Sequence, residues 1–128
     1  MPSDAITQLL HIPWTLYAGD ASNIDITPGN DYVRTCPINC QITELRASAQ
    51  GITASSRFVI ELLRGTTVLA TLTSAVPYVA GVIIAATGLD LRLSFGDLVT
   101  VRVRGTNADT DDITGLIVEA LMTPLLPQ

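Results

Sequence analysis

The chain has 128 residues, a net charge of −5, 48% hydrophobic residues and only 15% charged residues. This length fits one domain, and the charged fraction is low against the roughly 25% of an average soluble domain. An acidic chain gains nothing from phosphate backbones, so we do not expect it to bind nucleic acid. The longest apolar stretch, residues 75–89, is interrupted by Pro77, Gly81 and Gly88, which excludes an apolar helix of the roughly 20 residues that crosses a membrane.

The N-terminal residues 1–12 are expected to form an arm, and residues 13–128 a single jelly-roll domain. The opening residues MPSDAITQLL lack a basic region followed by an apolar run, so we expect no signal peptide and a protein that folds in a cytoplasm. Apolar surface that cannot enter lipid is most simply buried between subunits.

The first half of the chain predicts short strands between turn signals. The pieces WTLYA, NIDIT and DYVRTCPI are separated by turns at Gly19-Asp20 and at residues 28–30. The next piece, CQITELRASA, changes the parity of its apolar residues, and a β-bulge near Thr43–Glu44 would explain that change. The stretch RFVIELLRGTTVLATLTS predicts two strands joined by RGTT.

The second half alternates more regularly. The segment LDLRLSF places on one face Leu89, Leu91, Leu93 and Phe95. The segment LVTVRVRG places Val99, Val101 and Val103 inward and Thr100, Arg102 and Arg104 outward. The segment ITGLIVEALM is apolar on both faces apart from Thr114 and Glu119, as in a central strand or one covered by a partner. Eight or nine such strands predict an all-β fold, an antiparallel β-sandwich of the jelly-roll type.

The two cysteines, Cys36 and Cys40, enclose Pro-Ile-Asn. A straight strand would hold their Cα atoms about 13 Å apart, too far for a disulfide, although a bend at Pro37 and Asn39 could close the gap. We expect buried free thiols, with a disulfide as the open alternative. A zinc site lacks further ligands, because His11 is the single histidine.

The acidic loop GTNADTDDITG carries oxygen ligands at alternate positions, which is how a calcium loop begins. Counted from Asn107, the required Gly and the twelfth-position Glu are replaced by Asp112 and Val118. We therefore interpret the loop as ordinary turn chemistry, with weak cation binding left open.

Catalysis is not expected. A Ser-His-Asp arrangement would depend on His11 alone. Glu44 and Glu61 could pair as in a glycoside hydrolase, but we expect them to lie opposite arginines such as Arg46, Arg57 or Arg64 on a sheet face.

The order of these segments resembles a jelly-roll domain of tailed-bacteriophage structural proteins, over roughly residues 36–122. In that pattern a Gly-Asp turn comes late and a Gly-Leu-x-Val strand closes the sheet, as do Gly96-Asp97 and residues 115–118 here. Arg64 departs from the pattern, which has Asn there in many members. The same two features resemble complement-type and tumour-necrosis-factor-like trimeric jelly rolls.

This resemblance implies a virion structural protein that forms a homotrimer, and it carries over no catalytic, cofactor or metal-binding residue. We expect a capsid decoration, or cement, protein at the capsid surface, assembled in the host cytoplasm, which binds the major capsid protein and bridges capsomers. The alternative is a tail or head-fibre module that binds host surface glycans through exposed Trp14, Tyr32 or Tyr78. Interface candidates are His11, Ile12, Trp14, Tyr78, Val82, Ile84 and Ile117.

Overall fold

The computed structural model describes residues 11–22, 24, 30–53, 57–105 and 112–125. Ten β-strands run through these residues. They are β1 (Ile12–Ala21), β2 (Asn30–Thr35), β3 (Cys40–Ser48), β4 (Gly51–Ile52), β5 (Phe58–Arg64), β6 (Thr67–Thr73), β7 (Ile84–Ala86), β8 (Leu91–Leu93), β9 (Leu98–Gly105) and β10 (Ile113–Pro124). Ten strands are one or two more than the eight or nine predicted, and the strands that the sequence did not indicate are the short β4 and β7, of two and three residues.

The strands form two antiparallel sheets. Sheet I has the order β1-β10-β3-β7, with β4 beside β10 and β8 beside β3, and sheet II has the order β2-β9-β5-β6. The chain passes between the sheets at most connections, which is the jelly-roll arrangement, and the inner faces enclose one core. The predicted fold class, an antiparallel β-sandwich, is confirmed.

None of the described residues lies in a helix that could span a membrane.

Alternation of side chains explains which residues reach the core. Val99, Val101 and Val103 of β9 are fully buried, and Thr100, Arg102 and Arg104 lie on the opposite face, as predicted. In β3, Glu44 pairs with Leu121 and Ile42 pairs with Met122, which leaves Thr43 as an extra residue. This β-bulge is the one predicted, and it allows both Ile42 and Leu45 to be buried.

Phe95 is a correction to the predicted alternation. Strand β8 ends at Leu93, and Phe95 lies in the turn that follows, with 74% of its side chain exposed. The turn closes early because Asp97 accepts a hydrogen bond from the Ser94 amide at 2.8 Å. The Phe95 amide is held by Asn39 Oδ1 at 2.7 Å, so the ring points away from the core.

Strand β10 is central, since it pairs with β1 on one side and β3 on the other. Leu116, Val118 and Ala120 face the core, whereas Ile117 faces outward and is 45% exposed. Strand β1 begins at Ile12, opposite Met122. Most of the predicted arm, residues 1–10, lies outside the described residues, as does most of the predicted piece NIDIT.

Candidate functional site

The outer face of sheet II carries an apolar row that crosses all four strands. Val33 pairs with Thr100, Thr100 with Leu63, and Leu63 with Val68. Leu98 lies two residues before Thr100 on the same face. Val33, Val68 and Leu98 are 54%, 44% and 60% exposed, whereas Leu63 at the centre is only 2% exposed. These five residues form a flat surface that we call the front patch.

A row of paired charges borders the front patch. Arg102 binds both carboxylate oxygens of Asp31, at 2.8 and 3.1 Å, and Arg104 lies 3.2 Å from Glu61. The hydrogen bond from Arg102 lowers the pKa of Asp31. Two cations therefore balance two anions on this face of an acidic chain, so the row adds no net charge to repel a second copy.

The connection between β6 and β7 presents a second apolar surface. Val76, Val79, Val82 and Ile83 are 59%, 63%, 46% and 65% exposed. We call these four residues the crossover patch, because the segment passes from sheet II to sheet I. Exposed aliphatic side chains grouped in this way are typical of interaction surfaces.

Tyr78 explains why its neighbours point outward. Its side chain is 8% exposed and packs edge-on against Phe58, with ring centroids 4.8 Å apart. Its hydroxyl accepts a hydrogen bond from the Ala49 amide at 3.0 Å and donates to the carbonyl of Val82. With this ring fixed in the core, the valines before and after it are held at the surface.

A shallow groove joins the crossover patch to the outer face of sheet I. Its volume is about 230 Å³, and its lining is Arg46, Ala47, Ser48, Ile83, Ile117 and Glu119. Arg46 is bound to Glu119 at 2.9 Å and lies 3.7 Å from Glu44. The groove is smaller than the roughly 300–1,000 Å³ of typical small-molecule pockets. We therefore consider its apolar rim as part of a surface for protein contacts.

The predicted interface residues fall into three groups. Val82 and Ile117 are exposed, beside Ile83 and its groove. His11 and Ile12 are exposed at the start of β1, far along the strand from that groove.

The remaining three point inward. Tyr78 is buried, Ile84 is half-buried opposite Ala47, and Trp14 is half-buried opposite Ala120. Their side chains pack against the core, so they contribute less surface than the sequence predicted.

The sequence pattern did not indicate the front patch or the exposure of Val76, Val79 and Ile83. The signal for Val33 was present, because its strand alternates and Val33 falls on the face of Asp31. Which residues stand opposite it depends on strand pairing, and a single sequence does not specify that pairing.

The two glutamates considered as a carboxylate pair, Glu44 and Glu61, lie on different sheets, and each has an arginine within 4.0 Å. Arg46 lies 3.7 Å from Glu44 but on the same strand, and the residue opposite Glu44 is Leu121, so the expected cross-strand pair is not formed. Glu61 contacts Arg104 instead of the arginines proposed for it. Among the described residues, no group of three or more His, Cys, Asp or Glu side chains is placed to hold a metal ion. Residues 107–111 of the acidic loop, where weak cation binding was considered, lie outside the described residues.

No protein-family model matches the chain, and no curated protein matches it. Among solved structures, the chain is similar to the carbohydrate-binding module CBM36 in complex with calcium and xylotriose. The TM-score is 0.45 and the sequence identity 6%, over 84% of this chain and 98% of the module. A likeness of this degree carries no inference about ligand or function.

Proposed function

We propose that this chain is a structural protein of a tailed-bacteriophage particle, a trimeric capsid decoration protein that bridges capsomers. The observation that carries the proposal is the presence of two apolar surfaces on opposite sides of one sandwich. The front patch lies on the outer face of sheet II, and Ile83 and Ile117 border a groove on the outer face of sheet I. A protein that bridges two neighbours needs one such surface for each.

The size of each patch supports a role in a many-copy assembly. Burying the exposed parts of Val33, Val68 and Leu98 would contribute about 2–5 kcal/mol. Association is opposed by roughly 4–15 kcal/mol of lost translational and rotational freedom, so a single contact of this size holds two chains only weakly, and a closed trimer gains stability because it makes three such contacts. A domain that engages both patches within a symmetric particle gains the avidity of linked contacts.

The proposal also draws on the phage resemblance, whose turn and closing strand each contain a glycine that shapes the fold. Gly96 has φ of 90° in the turn before β9, and Gly115 has φ of 58° near the start of β10. Both backbone conformations favour glycine, so these two motif glycines occupy positions that the fold requires. The resemblance thus rests on residues that shape the sandwich.

A glycan-binding module at a fibre or tail remains the alternative, and the aromatic residues support it less well. Tyr78 is buried and Trp14 faces inward. Tyr32 is half-buried and stacks on Tyr17, with ring centroids 4.1 Å apart, so one face of its ring is already covered. Sugar-binding platforms need aromatic faces open to solvent.

Aspartate substitutions in the two patches test the proposal. Leu98→Asp changes the front patch and Ile83→Asp the crossover patch, while Thr87→Asp adds the same charge at an exposed position outside both. We expect a wild-type trimer at micromolar concentration that co-sediments with expanded heads of the phage that encodes it. One patch variant should lose the trimer and the other should lose head binding, and Thr87→Asp should lose neither.

Copy number separates the two functions. A decoration protein is present at every capsomer junction, whereas a tail or fibre module is present in few copies, and quantitative mass spectrometry of purified virions distinguishes these cases. A monomeric wild-type protein that fails to bind heads would overturn the assembly proposal. Specific binding on a glycan array, with few copies per particle, would support the alternative.

A further inference from the structure

The bend between β2 and β3 brings the two cysteines together. Cys36 follows the last residue of β2 in sheet II, and Cys40 is the first residue of β3 in sheet I. The backbone of Cys36 is fixed to the turn after β8, since its amide donates to Asp97 at 2.7 Å and its carbonyl accepts from Gly96 at 2.9 Å. The bend is therefore anchored at a defined place where the chain crosses between sheets.

Both thiols are fully buried and face one another. Their sulfur atoms are 3.7 Å apart, and Cys36 Sγ donates to the carbonyl of Ile38 at 3.1 Å. Cys40 can then donate to Cys36, so both S–H groups have an acceptor. The two sulfur atoms are therefore in contact, although three residues separate the cysteines in the sequence.

From this arrangement we propose that Cys36 and Cys40 are a site for an intrachain disulfide that links the two sheets. A disulfide has a sulfur–sulfur distance of about 2.05 Å, so the atoms must approach from their present 3.7 Å. With oxidised glutathione as the oxidant, one thiolate attacks a glutathione sulfur and releases one glutathione thiolate. The second cysteine then displaces the other glutathione, so two thiols and one glutathione disulfide become one protein disulfide and two glutathione thiols.

Burial sets when this bond forms. Desolvation raises the pKa of the Cys40 thiol to about 12, so very little of the reactive thiolate exists near neutral pH in the folded chain. No oxidant can reach either sulfur while the bend is packed, because both side chains are 0% exposed. The pair is thus oxidised when the bend opens, either during folding or in a local fluctuation of the folded chain.

The bond would hold the end of sheet II against the start of sheet I. It would also restrain the turn that carries exposed Phe95, through the two backbone hydrogen bonds between Cys36 and that turn. Thiols stay reduced in a cytoplasm and become oxidised outside the cell. The inference is independent of the proposed function, because it concerns chemistry within one chain.

The experiment refolds the full chain in buffers with different ratios of reduced to oxidised glutathione, followed by alkylation under denaturing conditions and mass spectrometry. In the denatured sample we expect single chains, not cross-linked to one another, that are lighter by two hydrogen atoms and take up no alkylating reagent. The oxidised protein should have a higher midpoint of thermal unfolding than the reduced protein. Dithiothreitol should reverse both changes. Adding oxidised glutathione to the folded protein should give the same product slowly, at a rate that stops rising with oxidant concentration.

Two variants make the result specific. Cys36→Ser and Cys40→Ser should each form only a mixed disulfide with glutathione, and their unfolding midpoints should not respond to the redox ratio as the wild type does. The proposal is overturned if refolded wild-type protein keeps two alkylatable thiols at every ratio. It is equally overturned if its oxidised product is a glutathione adduct or a dimer linked between chains.

Discussion

Leu63 of β5 stands directly opposite Thr100 of β9 on the outer face of sheet II, yet only 2% of its side chain is exposed. Alternation places Leu63 away from the core, since its neighbour Leu62 is a core residue. Its burial therefore comes from side chains on the sheet surface, including its pair partners Thr100 and Val68. The front patch has a packed centre and exposed aliphatic edges.

The position of Leu63 predicts an intermediate loss of stability on truncation. We expect Leu63→Ala to lower the free energy of unfolding by about 2 kcal/mol, at the lower end of the range for buried leucines, because its outward side adjoins solvent where the structure can relax. Leu62→Ala, in the enclosed core, should lower it by more, and Val33→Ala at the exposed edge by under about 1 kcal/mol. Urea unfolding of the three variants measures this order. If Leu63→Ala equalled Leu62→Ala, the outer face would be as closely packed as the core.

Tyr78 gives a second prediction, about the crossover patch. Tyr78→Phe keeps the contact with Phe58 but leaves the buried amide of Ala49 without its acceptor. We expect the free energy of unfolding to fall by about 1–3 kcal/mol, which is the range for an unsatisfied buried polar group.

The same variant should loosen the patch. Hydrogen exchange at Gly81 and Val82 should quicken relative to β9, because the hydroxyl also binds the Val82 carbonyl. Unchanged exchange in this segment would mean that the Gly81 amide, bound to the Ala49 carbonyl at 2.8 Å, holds the connection by itself.

Local patterns in the sequence were enough to predict the sandwich and several details. The alternation in β9 and the parity change at Thr43 each follow from side-chain spacing along one strand, which the sequence contains. Phe95 and Tyr78 were misplaced for the opposite reason. Their positions depend on hydrogen bonds to residues distant in sequence, Asn39 and Ala49, and no local period reports such partners.

In the candidate surfaces too, local patterns predicted some residues, and contacts between distant segments determine the others. Val82 and Ile117 could be chosen from the sequence because they lie in strongly apolar segments. The front patch could not, since Val33 and Leu98 belong to different strands and become one surface only when β2 pairs with β9. Excess apolar content predicted that exposed patches exist, and strand pairing decides where they are.

Gly115 predicts a backbone effect that can be separated from a steric one. Its φ is 58°, and a Cβ atom there would come within 2.6 Å of the Gln50 side chain. We expect Gly115→Ala to reduce stability by about 1–2 kcal/mol from the left-handed backbone conformation, with a further loss from the contact. In a Gln50→Ala background the steric part should vanish and the backbone part remain, as measured by urea unfolding. Equal effects in both backgrounds would show that Gln50 simply moves aside.

Tyr17 predicts how stability depends on alkaline pH. Burial, together with the neighbouring Tyr32 and Asp20, raises the pKa of Tyr17 from 10.0 to about 12. Below the pKa of Tyr17 in the unfolded chain, both the folded and the unfolded chain keep the hydroxyl proton, so the free energy of unfolding does not depend on this group. Above that pKa the unfolded chain loses a proton that the folded chain retains, so the free energy of unfolding should fall as pH rises towards about 12. Urea midpoints between about pH 8 and about pH 11 measure this fall.

The control for this prediction must remove the titration without removing the ring. Tyr17→Phe keeps the stack on Tyr32 but loses the hydroxyl, which donates to the Asp20 carbonyl at 2.6 Å. We expect lower stability near neutral pH and a shallower fall at alkaline pH. Cys40 also has a raised pKa, so the Tyr17→Phe variant is compared with and without Cys40→Ala. A slope identical to that of the wild type in both backgrounds would mean that Tyr17 ionises as readily in the folded chain as in the unfolded one.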